Sequence, residues 1–391
     1  MAAVNGLVVV TVGSMIANLC SYLVHLPASR WLGPGPYGEF ATLLQLSLVF
    51  AVPSLALQTV VARQVVRGAG ARQLRRLAAQ VAAGALVLAA LAVPIAAVAL
   101  HTSIAATAAA LAQAPVLVLL AAEQGLLQGA RRFRRLAVVL AVAGVAKVAP
   151  TVPVLAVGGG AGGGLAAMTC GAAVAAILAR TAVGAAGEGH GAGTTVIAVL
   201  SASGVQLVLI AFTSIDLLLS RPVLGPTAAG TYALGAVATK VAFWLPQAVG
   251  VVFYPHLASP ERSRGALRTV LTVLVSLTVL CAAGAAVCAP VATMLAGNGY
   301  APVQPWLWLF AVDGGLLAVM QGVLLYAIAA ERTRIALFAW AGFAVEAALL
   351  LTVPHTVGAM IAVSASCVGV TAAACAVAAA LHTETAAAQH R

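Results

Sequence analysis

Runs of about twenty apolar residues recur twelve times along this chain of 391 residues, and that recurrence constrains the fold more than any other feature. A helix of about 20 apolar residues is long enough to cross the hydrocarbon core of a bilayer. The runs cover 4–29, 40–62, 77–100, 104–130, 136–157 and 165–183, then 196–220, 231–255, 269–290, 304–330, 335–353 and 357–381. Charged residues make up only 7% of the chain and hydrophobic ones 63%. A soluble globule needs a charged surface, which 29 charged side chains cannot supply at this length. The expected fold class is therefore all-α and polytopic, with about twelve transmembrane helices.

The basic balance is a topology signal. The formal net charge is +11, but the arginines fall in short clusters between apolar runs, which argues for loops on one side of a membrane and against nucleic acid. Arg63, Arg67, Arg72, Arg75 and Arg76 follow the second run. Arg131, Arg132, Arg134 and Arg135 follow the fourth, Arg262, Arg264 and Arg268 the eighth, and Arg332 and Arg334 the tenth. The opposite connections hold only Arg30 and Arg221. The positive-inside rule then places both termini in the cytoplasm of a multi-pass protein of the cytoplasmic membrane. No loop is long enough for a soluble catalytic domain, so the chain is not expected to be an enzyme.

The chain repeats itself at an offset of 192 residues. Leu32-Gly33-Pro34 returns as Leu224-Gly225-Pro226, and Gly38-Glu39-Phe40-Ala41 as Gly230-Thr231-Tyr232-Ala233. Pro53 and Pro246 match at 193; these prolines, with Pro94 in the third run, are expected to kink their helices. Six spans per half is an even number, so the halves run parallel, and a pseudo-two-fold axis along the membrane normal is expected around a V-shaped central cavity. The expected organisation is a six-helix lobe at 1–184, a cytoplasmic linker at 185–195, a second six-helix lobe at 196–382 and a cytoplasmic tail at 383–391.

Polar residues form a stripe on the first helix of each half. Asn18, Ser21 and His25, with Thr11, Ser14 and Ser29, share one face at 100° per residue. Gln206 and Thr213, with Ser203, Asp216 and Ser220, do so in the second half. Packing between membrane helices would explain either stripe; two at one offset favour a cavity lining.

The segment from Arg30 to Ala41 resembles the opening signature of polysaccharide-type flippases, which belong to the multidrug/oligosaccharidyl-lipid/polysaccharide (MOP) exporter superfamily. The stretch from Ile215 through Asp216 and Arg221 to Ala233 looks like its partner in the second half, continued by Lys240, Phe243–Pro246 and Phe253–Pro255. The resemblance implies a carrier that moves a polyprenyl-diphosphate-linked oligosaccharide, a polysaccharide precursor, across the membrane by alternating access. It implies membrane lipids and a cell-envelope polysaccharide polymerase as partners, no cofactor and no nucleic acid. A cation-coupled exporter of small molecules from the same superfamily is the alternative.

An ionisable group deep in a bilayer costs enough to be a functional candidate. Arg and Lys suit a diphosphate, so Arg30, Lys240, Arg221 and Lys147 are the expected cationic cavity. Asp216, Asp313 and Glu123 are expected to gate or to take a proton or Na⁺, with Glu123 better suited to an inner gate. Glu346 reads as a hydrogen-bonded packing residue. Gly33-x-Gly35-x-x-Gly38 contains two prolines after a membrane helix and is no dinucleotide site. Gly158–Gly164 lacks the Lys of a phosphate loop and reads as a flexible turn. The seven histidines have no metal-site spacing, so no metal is expected.

Overall fold

The computed structural model describes residues 2–184, 196, 204–257, 263–329, 335–353 and 355–388. Among them every regular element is helical. The first span is Ala2–Leu23 with His25–Leu32, the second Pro34–Phe50 with Val52–Val66, and the third Ala71–Ala99. The fourth is Ile104–Leu111 with Gln113–Gly129, the fifth Phe133–Ala156 and the sixth Gly160–Val183. The seventh to ninth are Gly204–Leu224, Pro226–Leu257 and Ser263–Ala296. A 3₁₀ segment, Asn298–Trp306, leads into the tenth, Leu307–Ala329, and the last two are Ile335–Thr352 and Val357–Ala388. Among the described residues ten stretches are long and apolar enough to cross a membrane. The eleventh span, at 18 residues, rises about 27 Å, close to the hydrocarbon thickness.

The helices pack into two compact units, Met1–Ile210 and Ala211–Arg391. The linker expected at 185–195 lies outside the described residues, as do Arg262, Arg332 and Arg334 and the tail beyond 388. The side chains of Arg264 and Arg268 are likewise outside them.

Among the described residues three spans break, each just ahead of a proline. Proline has no N–H for the carbonyl four residues earlier and crowds that carbonyl with its ring. Pro27 forfeits the bond to Leu23, and the first span breaks at Val24. Pro53 sits in the first turn after the break at Ala51. Pro115 forfeits the bond to Leu111, and the fourth span breaks at Ala112. Pro53 thus divides its helix outright. Its counterpart Pro246 falls within the unbroken helix Pro226–Leu257, its side chain outside the described residues. Pro94 is likewise inside an unbroken helix.

The repeat is written in the backbone. Gly33 and Gly225 hold φ of +71° and +82°, a left-handed conformation cheap only for glycine. Each ends one span and is followed by proline at the first position of the next, where a missing N–H costs nothing. Gly33 N–H donates to Ser29 O at 3.2 Å and Gly225 N–H to Arg221 O at 3.0 Å. Tyr37 N–H reaches Gly33 O and Ala229 N–H reaches Gly225 O, both at 3.0 Å. The donors and acceptors are all 192 apart. The connection expected at 30–39 is therefore one residue, Gly33, and the second span starts at Pro34.

Gly158–Gly164 differs from the flexible turn expected of it. Only Val157–Gly159 turns; Gly160 onward is the first turn of the sixth span. A Cβ on Gly164 would lie 2.8 Å from Leu155 Cδ2 and 3.3 Å from Phe40 Cε2, so the glycine lets these spans close up. Small residues do the same elsewhere. Gly13 meets the backbone of Ala137, and Gly144 that of Ala17, joining the first and fifth spans. Gly171 meets the Ala146 carbonyl, joining the fifth and sixth. Lipid tails are as apolar as leucine, so close packing replaces burial from water as the driving force here.

Gly171→Ala is expected to destabilise the protein by about 1–3 kcal/mol, since the neighbour is backbone and cannot rotate away. Gly84→Ala, where nothing lies within 4 Å, should be neutral or stabilise by about 0.5–1 kcal/mol. Thermal unfolding in detergent checks both, and equal midpoints would refute this account of the packing.

Candidate functional site

In the first unit the expected polar stripe is mostly satisfied internally. Ser21 donates to its own helix at Ala17 O, 2.9 Å, and Ser29 to Leu26 O, also 2.9 Å. Both therefore quiet a local carbonyl. His25 is buried, and its Nδ1 shares a hydrogen bond of 3.0 Å with the Tyr37 hydroxyl. Tyr37 and Phe40 both stand edge-on to the imidazole. Asn18 is half-buried. Arg30 is exposed in the last turn of the first span.

Lys147 is half-buried in the fifth span, one turn beyond the Gly144–Ala17 contact. It interacts electrostatically with the Cys20 thiol of the first span. A carboxylate from another helix would have made a plain ion pair. Glu39 and Glu123 are the only carboxylates among the described residues of this unit, and both are engaged elsewhere. Glu39 Oε1 accepts from Ser103 N–H at 2.7 Å.

Glu123 is clamped by Arg75 of the third span. Arg75 Nε donates to Oε1 at 2.7 Å and Nη2 to Oε2 at 2.8 Å, the fork geometry that guanidinium and carboxylate share. The same Nη2 donates to Gly184 O at 3.3 Å. Arg132 Nη1 donates to Val183 O and Arg135 Nη1 to Ala182 O, each at 3.1 Å. Three arginines thus close the C-terminal carbonyls of the sixth span, where a helix leaves acceptors unpaired and its dipole favours cations. Nearby, Gln58 Nε2 donates to Gln128 Oε1 at 3.1 Å.

The second unit carries a different constellation. Asp216 of the seventh span is buried, and its Oδ2 accepts from the Tyr232 hydroxyl of the eighth at 2.7 Å. Lys240, half-buried two turns along that helix, interacts with Asp216 electrostatically. The Tyr232 ring stands edge-on to Phe310, centroids 4.9 Å apart. Three residues past Phe310 in the tenth span comes Asp313, which is buried, with Oδ1 lacking a partner among the described residues. Glu346 of the eleventh is fully buried: Ser364 of the twelfth donates to its Oε1 at 2.8 Å, and Oε2 has no partner among the described residues. Asp313 is within electrostatic range of both Asp216 and Glu346. Five spans thus contribute one connected polar network. Among the described residues no three His, Cys, Asp or Glu side chains converge tightly enough to hold a metal ion.

Of the expected residues, the first unit brings together none of the cations with each other, whereas the second joins Asp216, Asp313 and Lys240. Arg221 is buried at the end of the seventh span, and Thr213 is half-buried. The Gln206 side chain lies outside the described residues. Sequence reasoning left out Tyr232, Ser364 and Arg75, and gave Glu346 a packing role. Tyr232 was visible as the aromatic of the repeated Gly-x-aromatic-Ala. Ser364 carries no signal in an apolar run rich in small residues.

No family model matches the chain, and no curated protein is similar to it in sequence. Solved structures are. A multidrug-resistance MATE family transporter of the MOP superfamily, in its inward-facing conformation, superposes with a TM-score of 0.70 at 12% identity, covering 94% of both chains. The lipid II flippase MurJ, in an inward closed conformation, gives 0.72 at 10% identity over 94% of this chain and 86% of its own. The Vibrio cholerae MATE transporter VcmN gives 0.58 at 14% identity, over 98% and 97%. These likenesses show the fold: the chain has the polytopic helical architecture of MOP superfamily transporters.

Proposed function

We propose that this protein is a flippase that carries a polyprenyl-diphosphate-linked oligosaccharide across the cytoplasmic membrane by alternating access, with both termini in the cytoplasm. On this reading residues 1–184 and 196–382 are the two lobes, and 185–195 is the link between them. The observation that carries it is Lys147: a cation at membrane depth, in a unit whose two described carboxylates are both used by other partners. Holding a bare ammonium in hydrocarbon is costly, and the diphosphate of a lipid-linked sugar is an anion that would repay it. Arg30 adds a second cation to the same unit, where its guanidinium fork suits phosphate oxygens. Lys240 and Arg221 are the corresponding cations of the second unit. The resemblance at Arg30–Ala41 and the shared fold of a lipid II flippase support the same reading.

The second unit supplies the coupling. Asp216, Asp313 and Glu346 bury three carboxylates beside one ammonium, Lys240. A low-dielectric site of that composition calls for a balancing cation. A proton or Na⁺ taken up there and released on the other side would tie transport to the ion gradient. The same cluster also supports the alternative, a cation-coupled exporter of small molecules, because both readings need an ion site.

Deleting the gene in its host should make one diphosphate-linked glycan accumulate in extracted lipid, with its polymer lost from the surface. An unchanged lipid profile with heightened sensitivity to exported compounds would favour the small-molecule exporter instead. Charge reversal at Arg30, Lys240 or Lys147 should abolish complementation with expression intact. Lys147→Arg should retain part of the activity. Full activity in all the reversed variants would overturn the cationic site.

Asp313→Asn should abolish the dependence of transport in proteoliposomes on an imposed proton or Na⁺ gradient, and Glu346→Gln should weaken it. Gradient dependence unchanged in both would remove the coupling role from this cluster.

A further inference from the structure

Ten of the arginines in residues 2–184 gather at one end of the first unit, where Glu123 is the only carboxylate among the described residues. The other end holds Arg30 alone. Nine of the ten fall into two sets. Arg75, Arg132 and Arg135 are used internally, on Glu123 and on the carbonyls of Ala182–Gly184. Arg63, Arg67, Arg76, Arg131, Arg134 and Arg180 are exposed, and none has a side-chain partner among the described residues.

Depth separates this second set from an ordinary solvated surface. Arg63 and Arg67 close the helix Val52–Val66, and Arg180 lies in the last turn of Gly160–Val183. Arg76 is in the second turn of Ala71–Ala99, and Arg134 in the first turn of Phe133–Ala156. Every one stands within about two turns of where an apolar span ends, which is headgroup level. Arg131 is held there at a cost. Its φ is +56°, a left-handed backbone that an L side chain adopts reluctantly.

We infer that these six arginines form a collar that binds anionic phospholipid headgroups of the adjoining leaflet. The internal trio fixes the helix ends, and so fixes the spacing of the outer guanidiniums around the rim. Phosphate oxygens are the acceptors that a guanidinium fork matches, and an anionic leaflet offers them at the depth where the collar lies. A long acidic polymer in solution would meet the arginines from the aqueous side only. This inference does not depend on the transported substrate.

The test uses the purified full-length protein in nanodiscs of phosphatidylcholine, with or without phosphatidylglycerol. Native mass spectrometry reads the lipid retained, and thermal unfolding reads the midpoint. Phosphatidylglycerol should be retained preferentially and raise the midpoint. Each arginine should contribute roughly fivefold to retention, and salt near about 0.5 M should largely erase the preference. The variant Arg67→Gln/Arg131→Gln/Arg134→Gln should lose it, while Arg67→Lys/Arg131→Lys/Arg134→Lys should keep most of it. That pair separates lost charge from lost folding. Equal retention of both lipids, or an unchanged preference in the glutamine variant, would overturn the collar. So would stabilisation by a short RNA with none by phosphatidylglycerol.

Discussion

Hydrocarbon offers no water to a polar group, so every donor and acceptor that this chain carries into the membrane must be met by the chain itself. That constraint decides which polar residues lie where. Ser47 of the second span donates to Gln113 of the fourth at 3.2 Å. Thr239 of the eighth donates to the Phe310 carbonyl of the tenth at 2.9 Å. Ser47 and Thr239 are 192 apart, so each half ties its second helix to its fourth from the same position. His25 with Tyr37, Asp216 with Tyr232 and Ser364 with Glu346 follow the same rule. What remains unmet then becomes informative: Asp313 Oδ1 and Glu346 Oε2 are buried acceptors without a donor among the described residues.

The two halves keep one backbone and divide the chemistry. The glycine turn, the proline start and the 192-residue offset are common to both. The polar pairs are not. Val24 stands where the second half has Asp216, Phe40 where it has Tyr232, and Leu48 where it has Lys240. Conversely, Leu217 stands at the place of His25, and Ala229 at that of Tyr37. Each half has therefore filled the joint between its first two helices with a different hydrogen bond. Pro94 and Pro290, 196 apart in the third and ninth spans, show that the backbone likeness extends further than the sequence signature does.

The architecture was legible because membrane spans announce themselves in twenty-residue blocks, and because glycine and proline mark the turn at Gly33 and Gly225 by conformational necessity. The breaks at Val24 and Ala112 were marked as well, by Pro27 and Pro115, since proline acts on the turn before it. Partners were another matter. Nothing in a helical pattern says that Glu123 will meet Arg75, 48 positions earlier, because the pairing depends on which helices become neighbours. The run Gly158–Gly164 misled for a related reason. Glycine loosens a chain in water but lets helices approach in a membrane, and only the contact with Leu155 and Phe40 shows which effect prevails there.

Electrostatics separates the acids more sharply than their positions in the sequence do. Glu123 sits at the arginine-rich end with both oxygens in a guanidinium fork, and breaking such a pair costs about 3–5 kcal/mol. A carboxylate held that way is a fastener: taking up a proton would forfeit the pair and leave the Arg75 charge without its partner. Asp216 is held by a neutral hydroxyl, Glu346 by another, and Asp313 has one oxygen open. A neutral hydroxyl can serve a carboxylate or a carboxylic acid, so these acids can change charge without dismantling the packing around them, Asp216 being the one that also answers to the Lys240 ammonium. A group that must gain and lose a cation in every cycle needs that tolerance. In the described structure it belongs to the second unit, while the cation without a carboxylate, Lys147, belongs to the first.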